Sequence, residues 1–361
     1  MAEYSAMFTE NRSLFFKNTF PESQSYRLEQ FERAFFTPGF RSIEDITTLS
    51  KADRELLGQA MTWLCFKSTT VLASKKGDTY KAIITLADDT EIETVLMKNA
   101  RGHWTVCVSS QIGCAMACTF CATGKMGFTR NLTVDEIVDQ YRFWNIFLED
   151  RPTLPSRITN IVFMGMGEPL ANYQNVKTTI DTILRYTDIG VTRITVSTVG
   201  LIPMLNKILE DESWPQVRLA VSLHSADPTT RREIMPSSYA NFLDKLLEWS
   251  EKYFAQFASR RRHITFEYLM LSKVNDTKHH AEALIKFARR VGKVRINLIP
   301  YNFTGDIYRD SLPEDFADFE NQLRDAGVLV TRRRTMGDDI AAACGQLIVE
   351  KGKKVQTLQT V

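Results

Sequence analysis

Apolar positions along the chain change period twice. Tyr26–Phe36 sets Leu28, Phe31, Phe35 and Phe36 at helical spacing, and Asp53–Phe66 repeats the pattern with Leu56, Leu57, Met61 and Leu64. Both stretches read as short amphipathic helices. Alternation then predicts a hairpin of Tyr80–Leu86 and Glu91–Met97, turning at Asp88-Asp89. Beyond residue 100 the pattern becomes regular. Strand-like runs fall at Trp104–Val108, Arg157–Met164, Arg193–Ser197, Val217–Leu223, Ile264–Met270 and Val294–Ile299. Helical spacing occupies Val134–Leu148, Gln174–Tyr186, Pro203–Leu209, Phe242–Phe257 and Lys278–Val291 between them. Thr133-Val-Asp-Glu136 is a capping-box signature for the first of these helices. Such alternation implies parallel βαβ units, wound by right-handed crossovers into a barrel or an open sheet. Chemistry is then expected at the C-terminal ends of the strands. The expected organisation is a small, mostly helical N-terminal module over 1–90, a core over 91–348 and a basic tail over 349–361.

The composition narrows the class. With 44% hydrophobic and 24% charged residues among 361, the chain is neither disordered, collagen-like nor a coiled coil. Lys and Arg number 45 against 43 Asp and Glu, a net charge of +2. That excludes coating nucleic acid by bulk charge and leaves room for a local basic patch. Candidate phosphate contacts are Arg260–Arg262, Arg289-Arg290 with Lys293 and Arg295, Arg332–Arg334, and Lys351–Lys354. No apolar run approaches the roughly 20 residues that span a bilayer. Glu3, Glu10, Arg12 and Lys17 interrupt the apolar residues of Met1–Phe20. No secretory leader is read there, so a cytoplasmic location without a membrane partner is expected.

Three of the six cysteines, Cys114, Cys118 and Cys121, form C-x3-C-x2-C just after the first barrel-type strand. Three chemistries suit such spacing. Three thiolates can hold a 4Fe–4S cluster and leave one iron free for a substrate. They can also join Cys107 or His103 around a structural zinc, or remain reduced thiols. The aromatic residue in Thr119-Phe120-Cys121 would shield a cluster from water.

C-x3-C-x2-C with that aromatic resembles the radical S-adenosylmethionine (SAM) signature. Five further segments resemble the RlmN/Cfr family of RNA methyltransferases. They are Cys107-Val-Ser-Ser-Gln-Ile-Gly-Cys114, Asn131-Leu-Thr-Val-Asp-Glu-Ile137, Phe163-Met-Gly-Met-Gly-Glu-Pro-Leu170, Ser222-Leu-His224 and Ala343-Cys-Gly-Gln-Leu347. The likeness runs from about residue 25 to 348 and implies a partial (β/α)6 radical-SAM barrel. It implies a 4Fe–4S cluster on Cys114, Cys118 and Cys121, and SAM held by Gly167, Glu168, Ser197, Ser222, Leu223, His224 and Asn302. It further implies Cys344 as a methyl carrier, Cys107 as the thiol that closes a transient disulfide on it, and Glu93 as the proton acceptor.

By the same resemblance, two SAM molecules serve each turnover. A flavodoxin- or ferredoxin-like electron donor and a thiol reductant are the implied partners. Pro169 after Glu168, and Gly337-Asp-Asp-Ile340 before Cys344, resemble the branch that methylates carbon 2 of an adenosine in 23S ribosomal RNA, at the peptidyl transferase centre. Transfer RNA is a further substrate of that branch. The alternatives are the carbon-8 branch that confers antibiotic resistance, and a zinc-stabilised RNA-binding protein without catalysis. Met235-Pro-Ser-Ser-Tyr239, Phe303 after Asn302, and Ala341 depart from the family pattern.

Overall fold

A computed structural model describes residues 11–257, 264–305 and 308–347, and the backbone of 357–358. Arg260–Arg262 and Lys351–Lys354 lie outside the described residues.

Three helices come first, α1 (Arg12–Thr19), α2 (Ser25–Ala34) and α3 (Lys51–Ala60). They enclose an apolar cluster of their own, with Phe16, Phe31, Phe35, Ile46 and Leu57 at its centre. The helix expected over Asp53–Phe66 stops at Ala60, because the following segment serves another purpose. Met61 is extended, the Trp63 carbonyl accepts from Arg142 at 2.8 Å, and the Cys65 N–H donates to Asp139 at 2.8 Å.

Strands β1 (Phe66–Ala73), β2 (Thr79–Leu86) and β3 (Glu91–Lys98) form an antiparallel ribbon. Asp89 takes φ +64 at the β2–β3 turn, a conformation that Asp tolerates better than most residues. β3 pairs onward with β4 (Trp104–Cys107), so the sheet crosses residue 90 without a break. A short hairpin, β5 (Gln111–Gly113) and β6 (Phe128–Asn131), encloses α4 (Ala122–Lys125). Helix α5 (Val134–Glu149) starts on the expected box: Glu136 N–H donates to Thr133 Oγ1 at 3.2 Å and Thr133 N–H to Glu136 Oε2 at 2.8 Å.

The repeating units follow in order: β7 (Ile158–Phe163), α6 (Tyr173–Tyr186), β8 (Ile194–Thr198), α7 (Ile202–Glu210), β9 (Arg218–Ser222), α8 (Pro228–Ile234) and α9 (Phe242–Gln256). They continue with β10 (Ile264–Met270), α10 (Lys278–Val291), β11 (Val294–Pro300), α11 (Pro313–Asp325) and β12 (Leu329–Arg332). The six expected parallel strands are β4 and β7–β11, and β12 extends them in parallel beyond β11. A two-residue strand, β13 (Thr357–Leu358), pairs antiparallel with β1 at the far edge. Among the described residues β12 and β13 are the two ends of one eleven-stranded sheet, so the barrel is an open arc. Strand faces that meet the helices carry Ile161, Val196, Leu219, Phe266, Ile296 and Val330, all in the main core or at its edge. The lumen face ends in polar residues.

Candidate active site

The ends of the parallel strands open into a cleft of about 770 Å³. Its wall includes Gly167, Glu168, Ser197, Ser222, His224, Cys121 and Cys344. Four other expected site residues stand behind that wall, and each is tied to it. Leu223 is fully buried, and its N–H donates to the Glu267 carbonyl at 3.0 Å. Asn302 Nδ2 donates to the Cys344 carbonyl at 3.1 Å. Cys107 is buried at the end of β4. Glu93 is fully buried in β3, where Lys81 Nζ reaches it at 2.9 Å and also reaches the Ala341 carbonyl at 3.1 Å.

Close backbone approach explains the glycines that follow β7. A Cβ on Gly165 would lie 2.7 Å from the Val108 carbonyl oxygen, and one on Gly167 would lie 2.5 Å from Gln111 Cβ. Gly167 also holds φ +99, which an L side chain resists. The Glu168 N–H donates to Gln111 Oε1 at 2.8 Å, while its carboxylate accepts from Val199 N–H at 2.7 Å and Leu170 N–H at 3.0 Å. Burial nevertheless dominates and pushes the Glu168 carboxyl up to about 7. Such a group gains from an ammonium placed against it.

His224 sits at φ +53 just past β9, with the Phe120 ring edge-on at 4.8 Å. Its Nδ1 accepts from Leu269 N–H at 3.0 Å, which puts the ring proton on Nε2. Desolvation, with the charge of Arg231 second, holds the imidazole down to about 3, so it is neutral.

Cys114, Cys118 and Cys121 lie in the loop and first turn between β5 and β6, and burial raises all three thiols, Cys114 to about 11. The charges of Cys121 and Cys114 add to the rise at Cys118. Backbone amides bond the sulfurs, that of Met116 at Cys114 and those of Gly124 and Thr123 at Cys121. Left to themselves these cysteines stay neutral thiols; sulfurs that already accept amide N–H groups would suit a cationic centre such as an iron–sulfur cluster, which would displace their protons. Among the described residues, no three His, Cys, Asp or Glu groups are arranged around a single metal ion.

The loop bearing Cys344 is fastened on both sides. Ala122 N–H donates to the Gly345 carbonyl at 2.8 Å, and Thr123 Oγ1 to the Leu347 carbonyl at 2.6 Å. Gln346 Nε2 reaches Asp338 at 2.7 Å, and Lys75 N–H reaches Asp339 at 2.8 Å.

Sequence reasoning missed two arginines and a glutamate. Arg333, grouped with Arg332 and Arg334 as a phosphate contact, instead lines the cleft, within 3.7 Å of Glu267 and with Met164 Sδ accepting from Nη1 at 3.3 Å. Period-two alternation along β12 carries the signal: Arg332 lies 4.0 Å over the Phe316 ring on the helix side, while Thr331 and Arg333 point to the lumen. Arg231 on α8 is 1% exposed and donates to the carbonyls at the ends of β8 and β9. Arg289, Arg290, Lys293 and Arg295 cluster where α10 ends and β11 begins, at the opposite rim of the arc from the cleft.

The sequence matches the Radical SAM superfamily over residues 108–288. It is 40% identical over 339 residues to the protein named "Dual-specificity RNA methyltransferase RlmN" of Desulfotalea psychrophila (strain LSv54 / DSM 12343), covering 91% of each chain. A protein of the same name from Alcanivorax borkumensis (strain ATCC 700651 / DSM 11573 / NCIMB 13689 / SK2) is 40% identical over 312 residues, 85% of this chain and 80% of its own. The crystal structure of a radical SAM methyltransferase from Sphaerobacter thermophilus superposes with a TM-score of 0.85 at 34% identity, covering 93% of this chain and 97% of that one. The cysteine loop, the glycine-lined strand end and the fastened Cys344 thus belong to a chain of the radical SAM superfamily, and within it to the RlmN family of SAM-dependent RNA methyltransferases.

Proposed function

We propose that this enzyme methylates carbon 2 of an adenosine in 23S ribosomal RNA, at the peptidyl transferase centre, and an adenosine in transfer RNA. Cys344 would carry the methyl carbon. One observation carries this reading: Cys344 shares a cleft with Cys121 of the cysteine loop and with the strand-end residues, and its charge reaches the buried Cys107. A lone structural cysteine would have no use for a second thiol there.

A 4Fe–4S cluster held by Cys114, Cys118 and Cys121 would supply, when bound, the electron that cleaves SAM reductively. The chain's own groups divide the remaining work. Glu168 and the strand-end carbonyls hold the amino-acid end of SAM, Ser197, Ser222 and His224 line the rest of its path, and Asn302 supports it from behind through the Cys344 carbonyl. Cys344 accepts a methyl group by displacement, because the ring carbon of adenine is too electron-poor to take it directly. Once the carbon is on the base, Cys107 attacks the Cys344 sulfur, and the disulfide leaves as the base is freed. Glu93 takes the ring proton; its link through Lys81 to the Ala341 carbonyl joins it to the Cys344 loop. Two SAM molecules are consumed per turnover, and an external electron donor and thiol reductant restore the enzyme. Helices α1–α3 would form the N-terminal RNA grip.

The test is to weigh the Cys344 peptide from wild type, and to digest to nucleosides the RNA reacted with wild type and with the C344A variant. Methylated Cys344 and 2-methyladenosine are expected for wild type only. 8-Methyladenosine would move the enzyme to the other branch, and an unmodified Cys344 with unmodified RNA would refute the carrier reading.

A further inference from the structure

Phe303 is the most exposed large apolar side chain among the described residues, with 61% of it open to solvent. A single surface ring is ordinary in itself; the way this one is mounted is not. Asn302 Nδ2 donates to the Cys344 carbonyl at 3.1 Å, and Gln346 Nε2 donates to the Phe303 carbonyl at 3.2 Å. The same Gln346 amide reaches Asp338 at 2.7 Å and accepts from the Ala343 N–H at 3.1 Å. On the other side, Thr304 Oγ1 donates to the Phe120 carbonyl at 3.3 Å, and the Tyr308 hydroxyl meets Thr119 Oγ1 at 2.8 Å. The backbone at Phe303 is therefore clamped between the Cys344 loop and the cysteine loop. Tyr301 lines the cleft, and Phe303 follows it at the rim. Arg309 is exposed, and its guanidinium carbon lies 5.7 Å from the Phe303 ring centre. Such a pair sets a flat apolar face beside a cation, the combination on which single-stranded nucleic acid stacks. Phe303 is also one of the positions where the sequence departs from the family pattern.

We propose that the Phe303 ring stacks on the base next to the reacting nucleoside, with Arg309 facing the phosphate between the two. The inference rests on the reading of Cys344 as the place where RNA is methylated. A base that enters the cleft must leave its stack, and the base left behind then shows a face to water. A ring already held at the rim covers that face with little ordering cost of its own. A Phe303 that served packing alone would be buried, as Phe120 and Tyr301 are.

The test measures affinity and steady-state methylation for the cluster-bearing protein and its F303A, F303L, F303Y and R309Q variants. The probes are unmodified transcripts of 23S ribosomal RNA and of transfer RNA. F303A should bind RNA about tenfold more weakly and raise KM by the same factor, as expected for losing one stacked base, with its salt dependence unchanged. F303Y should restore both, while F303L, apolar but without a flat face, should not. R309Q should lower the slope of log affinity against log salt by about 0.7, the share of one single-strand phosphate. The ring is exposed, so none of these exchanges empties the core. Wild-type affinity in F303A overturns the proposal, as does rescue by F303L equal to that by F303Y, and an unchanged slope in R309Q refutes the phosphate contact. A transcript that wild type binds but does not methylate at carbon 2 refutes the function proposed above, and the F303A affinity then decides the stack by itself. A wild type that binds neither transcript leaves the ring without this partner and refutes the stack.

Discussion

Replacing Arg231 with Met isolates the group that ties together the strand ends at the cleft. Its Nη1 donates to the Ser222 carbonyl at 2.9 Å, to the Leu223 carbonyl and to Met235 Sδ at 3.1 Å, and its Nη2 to the Val199 carbonyl at 2.9 Å. The guanidinium carbon stands 4.0 Å over the Phe242 ring. Desolvation pulls its ionisation down to about 9, so the cation is costly to bury even with these partners. Met fills similar volume but donates nothing, stranding three carbonyls at roughly 1–3 kcal/mol each. Relief of the buried charge offsets part of this, and a net loss of about 2–4 kcal/mol is expected. Because Val199 also donates its N–H to Glu168 at 2.7 Å, the loosened strand ends should weaken SAM binding about tenfold or more, equivalent to about 1.4 kcal/mol. Urea unfolding monitored by fluorescence and equilibrium dialysis of labelled SAM measure the two effects. An Arg231→Met variant with wild-type midpoint and wild-type affinity would refute the reasoning.

Glu168 makes the pH dependence calculable in sign. Its folded carboxyl is raised from 4.5 to about 7, so the folded state retains a proton that the unfolded state has lost between those values. The associated stability is complete below the lower value and is lost as pH rises through the upper one. An ammonium ligand needs the ionised form, so SAM affinity should climb about tenfold per pH unit up to about 7 and then level; dialysis should find a flat profile in Glu168→Gln, and a flat wild-type profile would disprove the contact. Asp139, fully buried, accepts from Arg12, Arg142 and the Cys65 N–H, and these guanidiniums hold its carboxyl well below the usual range. Asp139→Asn should cost about 3–5 kcal/mol by leaving two like charges buried together, and denaturant unfolding that shows under about 1 kcal/mol would contradict this.

The periodic parts of the chain were legible because burial on two faces writes itself into strands and helices. Val134–Glu149 and Lys278–Val291 emerge within a residue of expectation. Elements missed are those whose sequence carries little apolar period. Pro228–Ile234 holds Arg231 and Arg232 where a core residue is expected, and Pro313–Asp325 is mostly polar around Phe316, Phe319 and Leu323. At the site, cysteines and strand-end serines announce themselves by type, but Arg333 does not. Flanked by Arg332 and Arg334, it looks like one of three solvated charges, and only the register of β12 against Leu298 turns it inward. Cys107 and Cys344 are far apart in sequence, and no local pattern states that their charges meet.

One flank of the lumen is not walled by a strand ladder. Beyond β12 the chain crosses to the antiparallel β1–β2–β3 ribbon as residues 337–345, joined there by Lys81 of β2 on Ala341 and by Lys75, in the β1–β2 turn, on Asp339. In a closed barrel the mouth diameter would limit what reaches the reacting carbon, and a folded macromolecule would have to present a free end. A flank made of a tethered loop separates those two quantities. The size of the acceptor is then set by what can lie against the side of the arc, and only the single reacting nucleoside needs to fit within it.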